Sequence, residues 1–262
     1  MGQIIITLTT IPNRLFEDRY NSGTKMSLIT LLTQNKYMNM DYEVHLNIPN
    51  EYRGEPINEL PEWLLQYEKE YTHLKIFMTP DYGPVTKLLP TLQRTHDPDA
   101  IIIIADDDLY YMQDIIEHHI KAREKYPECA IGFAGITAID GSCHFCTTVD
   151  KDVRVRILEG YKTVSFKRSF FSDLDDFKTN FSDICWADDI SVSAYLGYRD
   201  IKKMVINYSL DTDFRPRVES YPVIGGVAVE RGGCNVFRDD PQVVADSEII
   251  YNMFYKKGYL ER

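Results

Sequence analysis

The chain has 262 residues, of which 44% are hydrophobic and 26% are charged, the composition of a globular protein large enough to bury a full core. Its 29 basic and 40 acidic residues give a net charge of −11, which argues against nucleic acid as a partner, because proteins that bind it carry a basic face. The N-terminal apolar run is too short for a signal peptide, no run reaches the ~18 apolar residues of a membrane span, and the five cysteines form no regular framework, so we expect a cytoplasmic protein without a membrane span.

The first half of the chain alternates predicted strands with predicted helices. Short apolar or alternating runs predict strands at residues 3–8, 42–48, 74–78 and 100–104. Apolar spacing and start signals predict helices at 22–34, 61–70, 88–92 and from about 112 to 126. This order predicts a parallel, doubly wound α/β sheet over residues 1–127.

The second half of the chain has a different pattern. Short strands with Gly and Asp turns are predicted within 131–148 and 153–166, followed by a loop or short helix at 172–180. A helix is predicted from 188 or 189 to 196, then a strand at 203–206, an irregular stretch at 208–237 and a closing helix at 241–254. Because no linker or repeat separates the halves, we expect one domain, 1–262, divided into halves at 1–127 and 128–262.

The most informative stretch is AIIIIADDD, residues 100–108. Four consecutive isoleucines predict a strand buried on both faces of a parallel sheet. Asp106, Asp107 and Asp108 follow, and adjacent carboxylates repel one another unless a cation lies among them. If the strand continued, Asp106 and Asp108 would point the same way, which predicts a seat for Mg²⁺ or Mn²⁺. The alternative is a solvated acidic turn in which Asp108 caps the next helix.

Polar residues follow three of the predicted strands. The first strand ends at Thr9 and Thr10, the third precedes Asp81, and the fourth precedes Asp106. Since ligands of open α/β sheets bind at the carboxyl ends of the strands, we expect these residues to share one rim. The loop DYGPVTK, residues 81–87, adds backbone N–H groups, a hydroxyl and Lys87, which suit a phosphate or nucleotide. The alternative is a plain turn with a solvated lysine.

A second acidic pair, Asp188 and Asp189, stands at a predicted helix start. One interpretation is an N-cap with an acid that complements the helix dipole. The other is a general base that the helix N-terminus keeps ionised.

Five segments together carry a family resemblance: TLTTIPNR (7–14), DYGPVTKLLP (81–90), IIIIADDD (101–108), GYKTVSFKRSFF (160–171) and CWADDI (185–190). This set, which covers about residues 3–197, resembles the GT-A glycosyltransferases with a DXD motif, in particular the small soluble ones of bacterial polysaccharide clusters and large DNA viruses. The resemblance implies a Rossmann-like, mostly parallel sheet with an acceptor-side α+β second half. It also implies metal-dependent transfer of a sugar from a nucleotide-diphospho-sugar, most naturally a UDP-sugar, to a hydroxyl of a glycan or glycoconjugate. Mn²⁺ or Mg²⁺ would be the cofactor.

The resemblance also implies residue roles. The nucleotide would be held by Thr9, Thr10, Pro12 and Arg14, with Asp81 and Lys87 near base and phosphates. Asp106 and Asp107 would contact the donor, and Asp108, assisted by Asp106, would bind the metal. Asp188 would bind hydroxyls of the acceptor or donor sugar, and Asp189 would be the base of an inverting transfer.

One departure concerns the metal. Many GT-A enzymes add a ligand, often His, from the C-terminal part, but the last histidine here is His144, which leaves Asp211, Asp213 and Asn235 as candidates. Two alternative functions stay open. A sugar-1-phosphate nucleotidyltransferase would need a glycine-rich GxGxR segment after the first strand, where this chain has TTIPNR. A catalytically degenerate sugar-nucleotide-binding protein would more naturally have lost one of the two acidic segments, 106–108 or 188–189, and this chain has both.

Overall fold

The computed structural model describes residues 2–16, 23–34, 41–109, 111–139, 142–146, 151–182, 188–207 and 251–260. The strands are β1 (Ile4–Thr9), β2 (Glu43–Pro49), β3 (Glu51–Tyr52), β4 (Glu55–Pro56), β5 (Leu74–Thr79), β6 (Ile101–Ile104), β7 (Cys129–Gly132), β8 (Gly135–Ile139), β9 (Ser142–Cys146), β10 (Val153–Arg154), β11 (Ile157–Leu158), β12 (Val164–Lys167) and β13 (Lys202–Val205). The α-helices are α1 (Pro12–Phe16), α2 (Gly23–Leu32), α3 (Glu62–Glu70), α4 (Leu89–Arg94), α5 (Ile115–Lys125), α6 (Leu174–Phe177) and α7 (Asp188–Tyr198). Within these ranges, no helix is both long and apolar enough to cross a bilayer.

Some predicted features lie outside the described residues. These are the irregular stretch 208–237, with the candidate metal ligands Asp211, Asp213 and Asn235, and most of the closing helix, of which residues 251–256 are described as helical.

Eight strands form the central sheet, in the order β10-β13-β7-β12-β6-β1-β2-β5. The four strands predicted in the first half are neighbours and run parallel, since β1 pairs with β6 on one side and β2 on the other, and β2 pairs with β5. The predicted doubly wound α/β sheet is therefore confirmed, and the carboxyl ends of these strands share one rim.

Strand β6 is covered on both faces, as its isoleucines predict. Ile102 and Ile104 pack into the hydrophobic cluster that contains Leu88, whereas Ile101 and Ile103 pack into the cluster on the other face of the sheet. Each of the four is at most 8% exposed. The loop that follows β6 therefore starts from a rigid point at the centre of the rim.

The second half of the chain contributes to the same sheet. Strand β12 runs antiparallel between β6 and β7, β13 runs parallel to β7, and β10 closes that edge antiparallel to β13. The sheet thus extends past residue 127, where the sequence pattern alone ends it. A separate small sheet, β11-β8-β9, packs beside it.

Candidate active site

At the rim formed by the carboxyl ends of the parallel strands, Lys87 contacts one carboxylate of each acidic segment, Asp106 after β6 and Asp188 at the start of α7. Its Nζ lies 2.6 Å from Asp106 Oδ1 and 3.0 Å from Asp188 Oδ2. Lys87 is 8% exposed, so these contacts take place in a low-dielectric setting where they are strong. Burial alone would lower the pKa of Lys87, but the charges of Asp106, Asp188 and Asp189 raise it well above its usual value. The ammonium is therefore firmly protonated at neutral pH.

A tight turn brings Lys87 to this place. Gly83 adopts a left-handed conformation with φ of 62°, which glycine tolerates best, and its N–H donates to Asp81 Oδ1 at 2.8 Å. The N–H of Tyr82 donates to Thr86 Oγ1 at 2.8 Å. The side chain of Asp81 therefore closes the turn from its exposed outer side, and the described contacts do not bring it among the other acids.

A buried polar layer fixes the backbone of Lys87, and sequence reasoning missed it. Thr7 Oγ1 donates to the Lys87 carbonyl, while Asn47 Nδ2 donates to Thr7 Oγ1 at 3.0 Å and to Thr91 Oγ1 at 3.1 Å. Thr7, Asn47 and Thr91 are each 0% exposed. The available signal was a polar residue in the middle of each buried strand, Thr7 in β1 and Asn47 in β2, because such groups must find partners.

Asp106, Asp107 and Asp108 lie in the loop that follows β6, which we call the acidic loop, and Asp107 anchors it. Its Oδ2 accepts from Thr10 Oγ1 at 2.6 Å and from Thr24 Oγ1 at 3.2 Å, and its Oδ1 forms an ion pair with Arg14 Nη1. Asp107 is 4% exposed. These contacts tie the loop after β6 to the end of β1, to α1 and to α2. The polar atoms of Thr10 and Arg14, which the resemblance assigns to the nucleotide, are thus directed at a carboxylate of this loop.

Asp108 stands in a less compensated position. Its Oδ2 lies 3.0 Å from Arg14 Nη2. Burial raises the pKa of its carboxyl to about 6; Arg14 opposes the rise, and Asp107 and Asp106 add to it. A cation at this carboxylate would lower that pKa again.

The structure excludes two arrangements of this loop that the sequence left open. Strand β6 ends at Ile104, so the alternation of a strand does not arrange the three aspartates. They lie in a bend, where Asp106 faces Lys87 while Asp107 and Asp108 share Arg14. The next helix begins only at Ile115, with Asp114 preceding it, so Asp108 does not cap a helix.

Helix α2 holds the rest of the acidic loop through a polar stripe. Ser27 Oγ accepts from the Leu109 N–H at 2.8 Å, and Thr30 Oγ1 accepts from the Tyr111 N–H at 3.1 Å. Just beyond the C-terminal end of α2, Gln34 Oε1 accepts from the N–H of Ile115 at 3.0 Å. This stripe recurs at helical spacing, i, i+3 and i+7, but only the fold reveals what it faces.

Tyr111 links the acidic loop to the turn at residues 160–162. Its hydroxyl accepts from the Asp106 N–H at 2.7 Å and lies 3.3 Å from the Tyr161 carbonyl, to which it can donate. Burial, followed by the charge of Asp106, raises the pKa of Tyr111 well above its usual value. The phenol is therefore a neutral hydrogen-bonding link.

Asp189 is held by the same turn. Its Oδ1 accepts from the Gly160 N–H at 2.9 Å. A Cβ on residue 160 would be crowded, because it would lie 3.1 Å from that oxygen and the carboxylate would have to shift by a few tenths of an ångström. The expectation that the helix N-terminus keeps Asp189 readily ionised was wrong. Burial and the charge of Asp188 raise its pKa well above the usual value, and they outweigh Lys87 and the Gly160 N–H.

Two predicted nucleotide contacts lie at the end of β1. Thr9 Oγ1 donates to the Asn47 carbonyl at 2.8 Å, across the β1–β2 pair. Pro12 is the first residue of the short helix α1, the position where proline is best tolerated. Both are beside Thr10, so the rim carries all the strand-end residues that the sequence singled out.

The site has more negative than positive charge. Ion pairs join four carboxylates, those of Asp106, Asp107, Asp108 and Asp188, to two cations, Lys87 and Arg14. A fifth carboxyl group, that of Asp189, interacts with the charge of Lys87. Among the described residues, no three His, Cys, Asp or Glu side chains converge on one metal position. Both carboxylate oxygens of Asp107 are engaged, by Arg14, Thr10 and Thr24, so Asp108 and Asp106 are the better candidates of this loop for a cation. One or two carboxylates completed by substrate phosphates are the usual protein ligands of Mg²⁺, so the donor set fits a divalent cation that binds together with a phosphate ligand.

Comparison with known proteins gives structural neighbours. Neither a family model nor a curated protein matches the sequence. Residues 1–349 of S. aureus TarS in complex with UDP-GlcNAc superpose with a TM-score of 0.54 at 14% identity, over 97% of this chain and 72% of that one. GalNAc-T7 with UDP, GalNAc and Mn²⁺ gives 0.55 at 12% identity, over 78% and 42%. The chain has the GT-A fold.

The neighbours differ in length and in kind. This chain covers only 39% to 58% of the length of three other TarS structures. A second kind of neighbour is the 4-diphosphocytidyl-2C-methyl-D-erythritol synthase of Anaerococcus prevotii DSM 20548, with a TM-score of 0.51 at 14% identity, over 88% of this chain and 97% of that one. At such identities the likeness concerns the fold, and the activity has to be argued from the site.

Proposed function

We propose that this chain is a metal-dependent glycosyltransferase. It transfers a sugar from a nucleotide-diphospho-sugar, a UDP-sugar, to a hydroxyl of a glycan or glycoconjugate, with inversion. The observation that carries the proposal is Lys87, a buried cation that contacts both Asp106 and Asp188 at the carboxyl rim of a GT-A sheet. Two of the neighbours, TarS and GalNAc-T7, carry UDP-GlcNAc and UDP, which supports the donor class.

In this proposal, Lys87 stabilises the diphosphate leaving group. As the bond to the sugar breaks, negative charge grows on the diphosphate, and a preorganised cation stabilises it most in the transition state. Lys87 is held for this by the Thr7–Asn47–Thr91 layer. A divalent cation held by Asp108 and Asp106 would add to this charge neutralisation when bound.

The acceptor hydroxyl is activated by Asp189 in this proposal. The Gly160 N–H holds Oδ1 of Asp189, which leaves the other oxygen to take the proton of the hydroxyl as it attacks. A raised pKa makes the ionised carboxylate a stronger base. Attack from the face opposite the diphosphate gives inversion. Asp188, paired with Lys87, would orient sugar hydroxyls.

The remaining predicted residues have supporting roles. Thr9, Pro12 and Asp81 would contact the nucleotide from the rim. Thr10 supports the acidic loop through its bond to Asp107. In this proposal residues 1–127 form the donor half of a single domain and residues 128–262 the acceptor half.

The first test is calorimetric titration with UDP, GDP, dTDP and CDP, each with Mn²⁺, Mg²⁺ or EDTA. We expect one nucleotide, UDP, to bind tightly only with metal. Asp108→Asn should abolish that binding, whereas Asp189→Asn should keep it and lose transfer. The exposed turn residue Asp200 offers a matched control, because Asn tolerates its φ of 61°, and Asp200→Asn should change neither property. Absence of binding under every condition would refute the proposal.

A second candidate function comes from the synthase neighbour, which represents the nucleotidyltransferases. Such an enzyme would join a nucleoside triphosphate to a sugar 1-phosphate and release pyrophosphate. The segment after β1 in this chain, TIPNRLF, has no glycine, which argues against a glycine-rich loop that wraps around a triphosphate. Pyrophosphate release from these two substrates would favour the second candidate. Donor binding without turnover on any acceptor would favour a degenerate binding protein.

A further inference from the structure

Arg14 bridges two successive carboxylates of the acidic loop. Its Nη1 pairs with Asp107 Oδ1, and its Nη2 lies 3.0 Å from Asp108 Oδ2. Its side chain is 12% exposed. The planar guanidinium offers both arms in a fixed geometry, so one residue of α1 neutralises part of the charge of two neighbouring aspartates.

The two ends of this bridge are unequal. Asp107 also accepts hydrogen bonds from Thr10 and Thr24, and its side chain is 6% exposed. The side chain of Asp108 is 26% exposed, so solvent and solutes can reach it. The Asp107 end is therefore the fixed one, and the Asp108 end is the one that a ligand can exchange.

We propose that Arg14 makes Asp108 selective for a divalent cation that arrives together with a nucleoside diphosphate. This inference rests on the proposed function. A free cation that binds Oδ2 of Asp108 breaks the ion pair with Nη2, and the loss of that ion pair costs binding free energy. A cation that carries a diphosphate brings anionic oxygens to which the released arm can turn. Arg14 thus couples metal and nucleotide binding, and the coupling acts equally in both directions.

Lys87 contacts Asp106 and Asp188, whereas the second arm of Arg14 contacts Asp108. Substitutions at Arg14 therefore test the exchange at Asp108 directly.

The test measures Mn²⁺ binding to the full chain by electron paramagnetic resonance, without nucleotide and with saturating UDP. Arg14→Lys keeps a charge beside Asp107 but removes the second arm. We expect it to bind free Mn²⁺ more tightly than the wild type, by a factor in the range of roughly 5 to 150 that is typical of coupling between sites. The enhancement of Mn²⁺ binding by UDP should shrink by the same factor. Arg14→Gln is the second variant, with the same sign expected.

Two control variants complete the design. Arg199→Lys alters an exposed arginine that bonds to Ser172 Oγ at 2.6 Å, and it should leave Mn²⁺ binding unchanged. Combining Arg14→Lys with Asp108→Asn should abolish the gain, because the exchanged carboxylate is missing. Far-ultraviolet circular dichroism establishes that each variant is folded.

The outcomes are distinguishable from failure of the proposed function. If UDP affects neither protein but Arg14→Lys still strengthens free Mn²⁺ binding, the nucleotide part is refuted while the competition at Asp108 is supported. If folded Arg14→Lys and Arg14→Gln bind free Mn²⁺ no more tightly than the wild type, the inference is overturned. Absence of Mn²⁺ binding to every variant, with and without UDP, also overturns it.

Discussion

The Asp189 carboxyl has to lose its own proton before it can accept one from a hydroxyl. Burial, followed by the charge of Asp188, raises its pKa well above 3.8. Since only the ionised form acts as a base, we expect the transfer rate to rise with pH through this raised pKa and to level off above it. A pH–rate profile measures this directly. A rate that is constant from about pH 5 upwards would contradict the assignment, and Asp189→Asn should be inactive throughout.

Gly160 controls the space beside that base. A methyl group on residue 160 would lie 3.1 Å from Asp189 Oδ1 and 3.1 Å from Ile104 Cδ1, so the carboxylate would have to move. Because small misplacements of reacting groups can cost on the order of 100-fold in rate, Gly160→Ala should lower kcat by about that factor. The dissociation constant of UDP should stay the same. Gly54→Ala is the control: no atom lies within 4 Å of the new Cβ, and although alanine is strained at its φ of 83°, this exposed turn residue should leave activity unchanged.

The raised pKa of Asp108 implies that its ionised carboxylate lowers the stability of the fold at neutral pH. Its pKa is raised from 3.8 to about 6, so ionisation in the folded state costs up to about 3 kcal/mol above that pH and nothing below the pKa of the unfolded chain. We expect Asp108→Asn to be more stable than the wild type at pH 8 and equally stable near pH 3, below the pKa of the unfolded chain. Chemical denaturation at both pH values measures this. Lower stability of the variant at both would mean that the pair with Arg14 outweighs the cost of burial.

At the scale of secondary-structure elements, α2 acts as a clamp on the acidic loop. Ser27 Oγ is the acceptor for the buried Leu109 N–H, so Ser27→Ala leaves that donor unpaired. We expect a loss of about 1–3 kcal/mol in the free energy of unfolding and weaker metal-dependent UDP binding. Thr33→Ala, at the exposed residue that directly follows this helix, should change neither. Denaturation and titration of both variants test the clamp, and equal behaviour would refute it.

The elements themselves were largely predictable, whereas the contacts between them were not. Four consecutive isoleucines predict a strand that is buried on both faces, and the three aspartates that follow it mark the candidate site. The pairing of Arg14 with Asp107, 93 residues away, and of Tyr111 with the Tyr161 carbonyl has no local signature. Such pairs depend on which loops the sheet order brings together, and a single sequence does not specify that order.

At the scale of the whole molecule, the insertion of β12 between β6 and β7 was the feature that the sequence could not reveal. Residues 164–167 read as a short strand in either orientation, and nothing in their pattern names a neighbour. The consequence is large, because β12 and the turn before it carry Gly160 to the rim beside Lys87. The donor and acceptor halves of the proposed enzyme therefore meet within one continuous sheet.

This shared sheet predicts how the whole chain responds to its ligands. The two hydrophobic clusters lie on opposite faces of the same strands, so thermal unfolding should be a single transition. UDP with Mn²⁺ contacts, in our proposal, residues supported by both clusters, and a ligand at 100 times its dissociation constant adds about 2.7 kcal/mol of stability. We expect calorimetry to show one peak that moves to higher temperature as a whole, with no such movement for Asp108→Asn. Two peaks, of which only one moves, would mean that the halves unfold independently and that the ligand contacts just one of them.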